Sequence, residues 1–156
     1  MRGLTGEELL RLPVRLRGIR LGRPTDLILD PGGGRVLGLE VECGDELHRF
    51  LPASAASLGS REIEIGSPFV LLDLSVDSLY GSRARALGKL RGLRVGDDGA
   101  TLRDVVVGTG WAIEELVLEG EQGRRREPCN GQLGEALFGG SRGRPGRPRA
   151  RRSPPR

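Results

Sequence analysis

Val36-Leu37-Gly38-Leu39-Glu40-Val41-Glu42-Cys43 places Leu37, Leu39, Val41 and Cys43 on one side of an extended chain and Gly38, Glu40 and Glu42 on the other. This period of two predicts a half-buried strand in an antiparallel sheet. Just upstream, Asp30-Pro31-Gly32-Gly33-Gly34 has the composition of a turn, because proline presets φ and glycine permits positive φ. The glycines do not make a phosphate loop, since a strand follows them and no helix N-terminus is there to gather N–H groups on an anion. Arg23 to Asp30 precedes that turn as a strand centred on Leu27-Ile28-Leu29. Gly44-Asp45 makes the next turn, and Glu46 to Pro52 returns as a third strand. Ala53 to Ser60 reads as irregular or one helical turn, and Glu62-Ile63-Glu64-Ile65 as a further short strand.

The same pattern then recurs, the mark of an internal repeat. Thr25-Asp26-Leu27-Ile28-Leu29 is echoed by Arg103-Asp104-Val105-Val106-Val107, and Val36 to Glu42 by Ile113 to Glu119. Leu16 to Leu21 is echoed by Leu90 to Val95, and Pro52 by Pro128. The expected organisation is a short N-terminal helix over residues 1–12, a first repeat over 13–74, a linker with a short helix over 75–89, and a second, degenerate repeat over 90–138. Thr5 and Glu8 form a candidate capping box for the first helix, which Pro13 ends. Val76, Leu79, Tyr80, Ala84, Leu87 and Leu90 approximate a helical spacing that Gly81 interrupts. Residues 139–156 contain only Gly, Ser, Arg, Pro and one Ala. They offer no core, so nothing offsets the entropy of ordering them, and this tail is expected to be disordered.

Composition supports short strands: 26 glycines and 10 prolines in 156 residues imply many turns. Aromatics are 3%, so Leu, Val and Ile must build the core. Seven of the 25 basic residues lie in the tail, leaving 18 against 21 acidic ones in the body. The excess positive charge is therefore a tethered basic segment and not a broad basic face. No apolar run approaches the length of a membrane span. The N-terminus carries Glu7 and Glu8 and no apolar h-region, so a cytoplasmic location is expected.

The chemistry-bearing residues are sparse. Cys43 and Cys129 belong to no CxxC or Cys/His cluster, so they read as free thiols and no metal site is expected. His48, the single histidine, has no recognisable partner to orient it as a general base. Asp26 and Asp104 occupy equivalent repeat positions, which suits backbone hydrogen bonding at the start of each strand better than paired acid–base work. Trp111 is either an anchor for a protein contact or a cap on the sheet. In the tail, Arg142, Arg144, Arg147, Arg149, Arg151 and Arg152 are candidate phosphate contacts, without an aromatic to stack on bases.

The stretch Gly18-x-x-Leu21-Gly22-Arg23-x-x-Asp26-Leu27-Ile28-Leu29-Asp30, the glycine-rich turn, Val36-Leu37-Gly38-Leu39-x-Val41 and Phe50-Leu51-Pro52 together resemble a PRC-barrel domain. The resemblance covers Pro13 to Leu72 well and Leu87 to Pro128 less well, where Gly96-Asp97-Asp98-Gly99 replaces the Leu-Gly-Arg triplet. It implies a mainly β protein: a small antiparallel barrel motif repeated twice, with short connecting helices. It also implies a non-enzymatic adaptor that binds other proteins, with no catalytic residue and no cofactor to carry over. One branch of that family works on the ribosome, so the second expectation is an RNA- or ribosome-associated protein that uses its basic tail. Edge strands leave a homo-oligomer open. The reading leaves open whether the repeats form one barrel or two.

Overall fold

The computed structural model describes residues 3–73 and 79–143. Its elements in chain order are β1 (Leu4–Thr5), α1 (Gly6–Leu10), β2 (Val14–Leu16), β3 (Ile19–Asp30), β4 (Arg35–Cys43), β5 (His48–Pro52), β6 (Ala56–Leu58), β7 (Ile63–Ile65), β8 (Arg85–Ala86), α2 (Leu87–Leu90), β9 (Thr101–Val107), β10 (Ile113–Gly120), β11 (Gly123–Pro128) and α3 (Gln132–Gly143). They form two curled half-barrel sheets, so the fold is mainly β. One sheet runs β5-β4-β3-β2-β7-β6, with β8 also beside β3; the other runs β1-β9-β10-β11. Leu27, Leu29, Leu39 and Leu51 from the first meet Leu102, Val105, Leu116 and Leu118 from the second in one core, all fully buried. Among the described residues, no helix is long and apolar enough to cross a membrane.

The repeat is present in the strand pairing down to its irregularities. In the first half Leu29 faces Val36 and Ile28 faces Gly38, so Leu37 is an extra, bulged residue. In the second, Val107 faces Ile113 and Val106 faces Glu115, so Glu114 is the extra one. A second bulge falls at Thr25 in β3 and at Arg103 in β9. Pro52 faces Gly38 as Pro128 faces Glu115. The bulge also changes the expected alternation of β4. Val36, Leu39 and Val41 enter the main core, while Leu37 turns to the other face. There it joins Ile28 and Phe50 in a small cluster covered by Leu72, Tyr80, Ala84 and Ala86. Gly38 allows that cluster to close: a Cβ there would meet the Leu51 carbonyl and come within 2.5 Å of Phe50 Cζ. Gly38→Ala should therefore cost about 1–3 kcal/mol by overpacking, read as a lowered denaturation midpoint.

The two halves exchange their first elements. β1 of the first half pairs with β9 of the second, Leu4 opposite Val107 and Thr5 opposite Val106. β8, which opens the second half, pairs with β3 of the first, Arg85 opposite Leu29 and Ala86 opposite Ile28. Each short strand leads into a short helix whose first turn is held by the other half. The exchanged strands thus open at Leu4, ahead of residue 13, and at Arg85, ahead of residue 90. Leu4 and Thr5 are thus part of the second sheet, and the helix follows them. The capping box does form, with Thr5 Oγ1 accepting from Glu8 N at 3.1 Å and Glu8 Oε1 from Thr5 N at 3.0 Å.

Three further stretches take a form of their own. The echo of Leu16–Leu21 in Leu90–Val95 is not a structural equivalence. The first stretch folds over the Arg17-Gly18 turn between β2 and β3, whereas the second runs out of α2 toward a turn at Gly96–Gly99. The helical spacing over Ser75 to Leu90 breaks at Gly81, where φ is +64°: Gly81–Arg83 is a 3-10 turn, then β8, then the four residues of α2. Residues 74–78 of that segment lie outside the described residues. Finally, α3 closes the second half with a helix that the strand pattern of residues 90–138 does not announce. Leu133 is fully buried and Leu137 packs on the core one turn later, while Gly134 lets the helix touch the Pro31-Gly32 turn.

A candidate interaction edge on the second sheet

β11 is a strand because the two-residue turn Glu121-Gln122 folds Gly123 back opposite Gly120, with φ at Gly123 of +102°. It carries Arg124-Arg125-Arg126, exposed, and Glu127, partly buried, and it ends the second sheet. Its counterpart in the first half is β5, since Arg126 faces Val117 as Phe50 faces Glu40. The two edges differ. Phe50 exchanges two backbone hydrogen bonds with Leu72, donating its N–H to the Leu72 carbonyl at 2.9 Å and accepting from the Leu72 N–H at 2.8 Å. Beside that bridge Arg49 Nε donates to Asp73 Oδ1 at 3.0 Å. Chain at the end of the first half therefore covers β5. No strand or bridge among the described residues covers β11. Because the pairing is equivalent, the N–H and C=O of Arg126 point away from the sheet, as those of Phe50 point to Leu72, and those of Arg124 do the same two residues earlier.

The side chains of this edge are unequal. Arg125 is held: Nη1 lies 3.0 Å from Asp98 Oδ2 and Nη2 2.9 Å from Glu127 Oε2. The Ala100 N–H and then the Arg125 guanidinium keep the Asp98 carboxyl below its ordinary 3.8. Asp45 is lowered likewise, first by Arg49 and then by the Leu47 N–H. A carboxyl whose folded value is depressed contributes stability that is present above the unfolded value and lost as pH falls through the folded one. The NMR titration midpoint of Asp98 should therefore lie below 3.8 in the folded protein and rise toward it in Arg125→Ala, and the variant should be less stable than the native chain above 3.8, the difference fading as pH falls through the folded value. Arg124 and Arg126, on the opposite face from Arg125, are 66% and 49% exposed. Each is ion-paired at longer range, Arg124 Nε 3.7 Å from Glu119 Oε1 and Arg126 Nη1 3.6 Å from Glu115 Oε1, beyond hydrogen-bond length, so guanidinium donors remain for a further acceptor.

Elsewhere the sequence candidates fall apart from one another. Trp111 is 5% exposed, its Nε1 donating to the Ala56 carbonyl at 3.0 Å, so its ring is in the core and not on the surface. Asp26 Oδ1 accepts from Leu27 N at 2.9 Å and Gly88 N at 3.1 Å. Asp104 accepts from Val105 N at 2.8 Å, Gly6 N at 3.0 Å and Glu7 N at 3.1 Å. Both carboxylates are thus spent on backbone N–H groups. His48 Nδ1 is 3.9 Å from Glu40 Oε2, and both side chains are about half exposed. Cys43 and Cys129 are free, and burial raises the Cys129 thiol above its ordinary value of 9.0. Cys129 should therefore alkylate more slowly at pH 8 in the folded protein than in urea, followed by mass spectrometry. Among the described residues, no three His, Cys, Asp or Glu side chains are grouped to hold a metal ion. Arg142 lies in the last turn of α3, and Arg144, Arg147, Arg149, Arg151 and Arg152 lie outside the described residues.

No family model matches the chain, and no curated protein is significantly similar to it.

Proposed function

We propose that this chain is a non-enzymatic binding module, an adaptor whose partner is another protein. The observation that carries this reading is the free, arginine-bearing edge of β11, set against the covered edge of β5. The outward N–H and C=O groups of Arg124 and Arg126 are a template for an extended segment, while the next outward carbonyl, that of Pro128, accepts from Gln132 Nε2 at 2.8 Å. The resemblance to PRC-barrel domains, known as adaptor modules, points the same way. Among the described residues the His48 side chain has only Glu40 near it, at 3.9 Å, and the two equivalent aspartates accept from backbone N–H groups, which is in keeping with a binding role.

The test is a native co-isolation with the full chain and with a version ending at Gly143, each with and without nuclease. The adaptor reading expects the same proteins with both versions and no effect of nuclease. Partners that vanish with residues 144–156 or with nuclease would establish instead the RNA-associated reading, in which the barrel carries a basic tail.

A further inference from the structure

We infer that the partner is an extended peptide segment bearing acidic side chains at alternate positions, which adds to β11 as an outer strand. This rests on the adaptor reading and makes it specific. The first half already contains the arrangement: Leu72 sits against Phe50 through a reciprocal pair of hydrogen bonds, and Asp73 beside it meets Arg49. The equivalent position in the second half is Arg126, flanked by Arg124 on the same face and Arg125 on the other. What lies over Phe50 is apolar, in keeping with the cluster of Ile28, Leu37 and Phe50 beneath it. What lies beside Arg124 and Arg126 must answer two guanidinium groups with open donors. On an added strand, residues two apart share a face, so acids at alternate positions fall opposite both.

Other occupants fit less well. A second copy joined edge to edge, antiparallel and centred on Arg125 or Arg126, places arginine opposite arginine, which is unfavourable. The chain's own C-terminal segment is arginine-rich and has prolines at 145, 148, 154 and 155, which lack the N–H that a ladder needs. Nucleic acid would need aromatic platforms for its bases, and the exposed phenylalanines, Phe69 and Phe138, lie on other elements.

The experiment is a titration of the full chain, amide spectrum by amide spectrum, with a short peptide of alternating Glu and Thr. The comparators are the Lys/Thr peptide, a backbone N-methylated Glu/Thr peptide and a short single-stranded RNA. Expected is saturable perturbation centred on residues 123–128 with the Glu/Thr peptide only. Arg124→Gln with Arg126→Gln should weaken it roughly tenfold, two cross-strand charge pairs being lost. Arg124→Glu with Arg126→Glu should transfer the preference to the Lys/Thr peptide. Equal binding of the N-methylated peptide, perturbations centred elsewhere, or response to RNA alone would overturn the proposal. If proteins still co-isolate with the full chain and the Gln variant alike, this edge is wrong while the adaptor reading stands; if nothing co-isolates either, both fall.

Discussion

Trp111→Ala will destabilise the protein by about 3–5 kcal/mol, the cost of removing a buried large aromatic, and Trp111→Gly will be the milder change. The second half of that expectation inverts the usual order. Gly34 and Trp111 are equivalent positions at the junction of the two halves, and both have φ of +69°. The Trp111 carbonyl accepts from Val36 N at 2.8 Å, and the Gly34 carbonyl accepts from Ile113 N at 2.9 Å. This conformation costs a residue with a Cβ about 1–2 kcal/mol. In the native chain, burial of the indole and its bond to Ala56 offset that cost. Alanine keeps the strain and loses the ring, whereas glycine loses both. Urea denaturation of the two variants should place glycine about 1 kcal/mol above alanine. Equal midpoints would mean that the left-handed backbone at Trp111 is not strained.

Asp104→Ala will cost about 2–4 kcal/mol, because three backbone donors lose one charged acceptor. Two of them, Gly6 N and Glu7 N, open α1 of the other half, and the carboxylate is 13% exposed. Water can therefore replace it only in part. Asp26→Ala, with two donors at 2.9 and 3.1 Å, should cost less, about 1–2 kcal/mol. Each substitution should weaken the whole molecule and not only its own half, giving one cooperative transition whether followed by Trp111 fluorescence or by strand circular dichroism. Two separated transitions would show that the halves unfold independently.

The strands were legible because alternation of side chains is a local property. The strands over Leu27 to Leu29 and Val36 to Val41, and their echoes, lie where the pattern puts them, although Leu37 faces the other way. The bulges at Leu37 and Glu114 were not legible, since a bulge is defined by what the neighbouring strand does. Nor was the exchange of β1 and β8, because a two-residue strand has no periodicity and its choice of partner is tertiary. The helix α3 was obscured by Gly134 and Gly139, which lower helix propensity, although the four-residue spacing of Leu133 and Leu137 carried a trace of it. For the site, sequence placed the arginine signal in the tail. Arg124 to Arg126 stood in plain view, but their meaning depends on an edge that Leu72 covers in one half and nothing described covers in the other. The equivalence of Asp26 and Asp104 was visible, and its consequence, that each clasps the other half's helix, was not.

The most direct test of this interlocked architecture is to prepare residues 1–78 and 79–156 as separate chains and record amide spectra of each alone and of their mixture. The account predicts poorly dispersed spectra for the pieces and recovery of the dispersed native spectrum at one-to-one mixing, because β1 and α1 complete the second half while β8 and α2 complete the first. A piece that folds alone as a monomer, with a dispersed spectrum unchanged by the other, would contradict it.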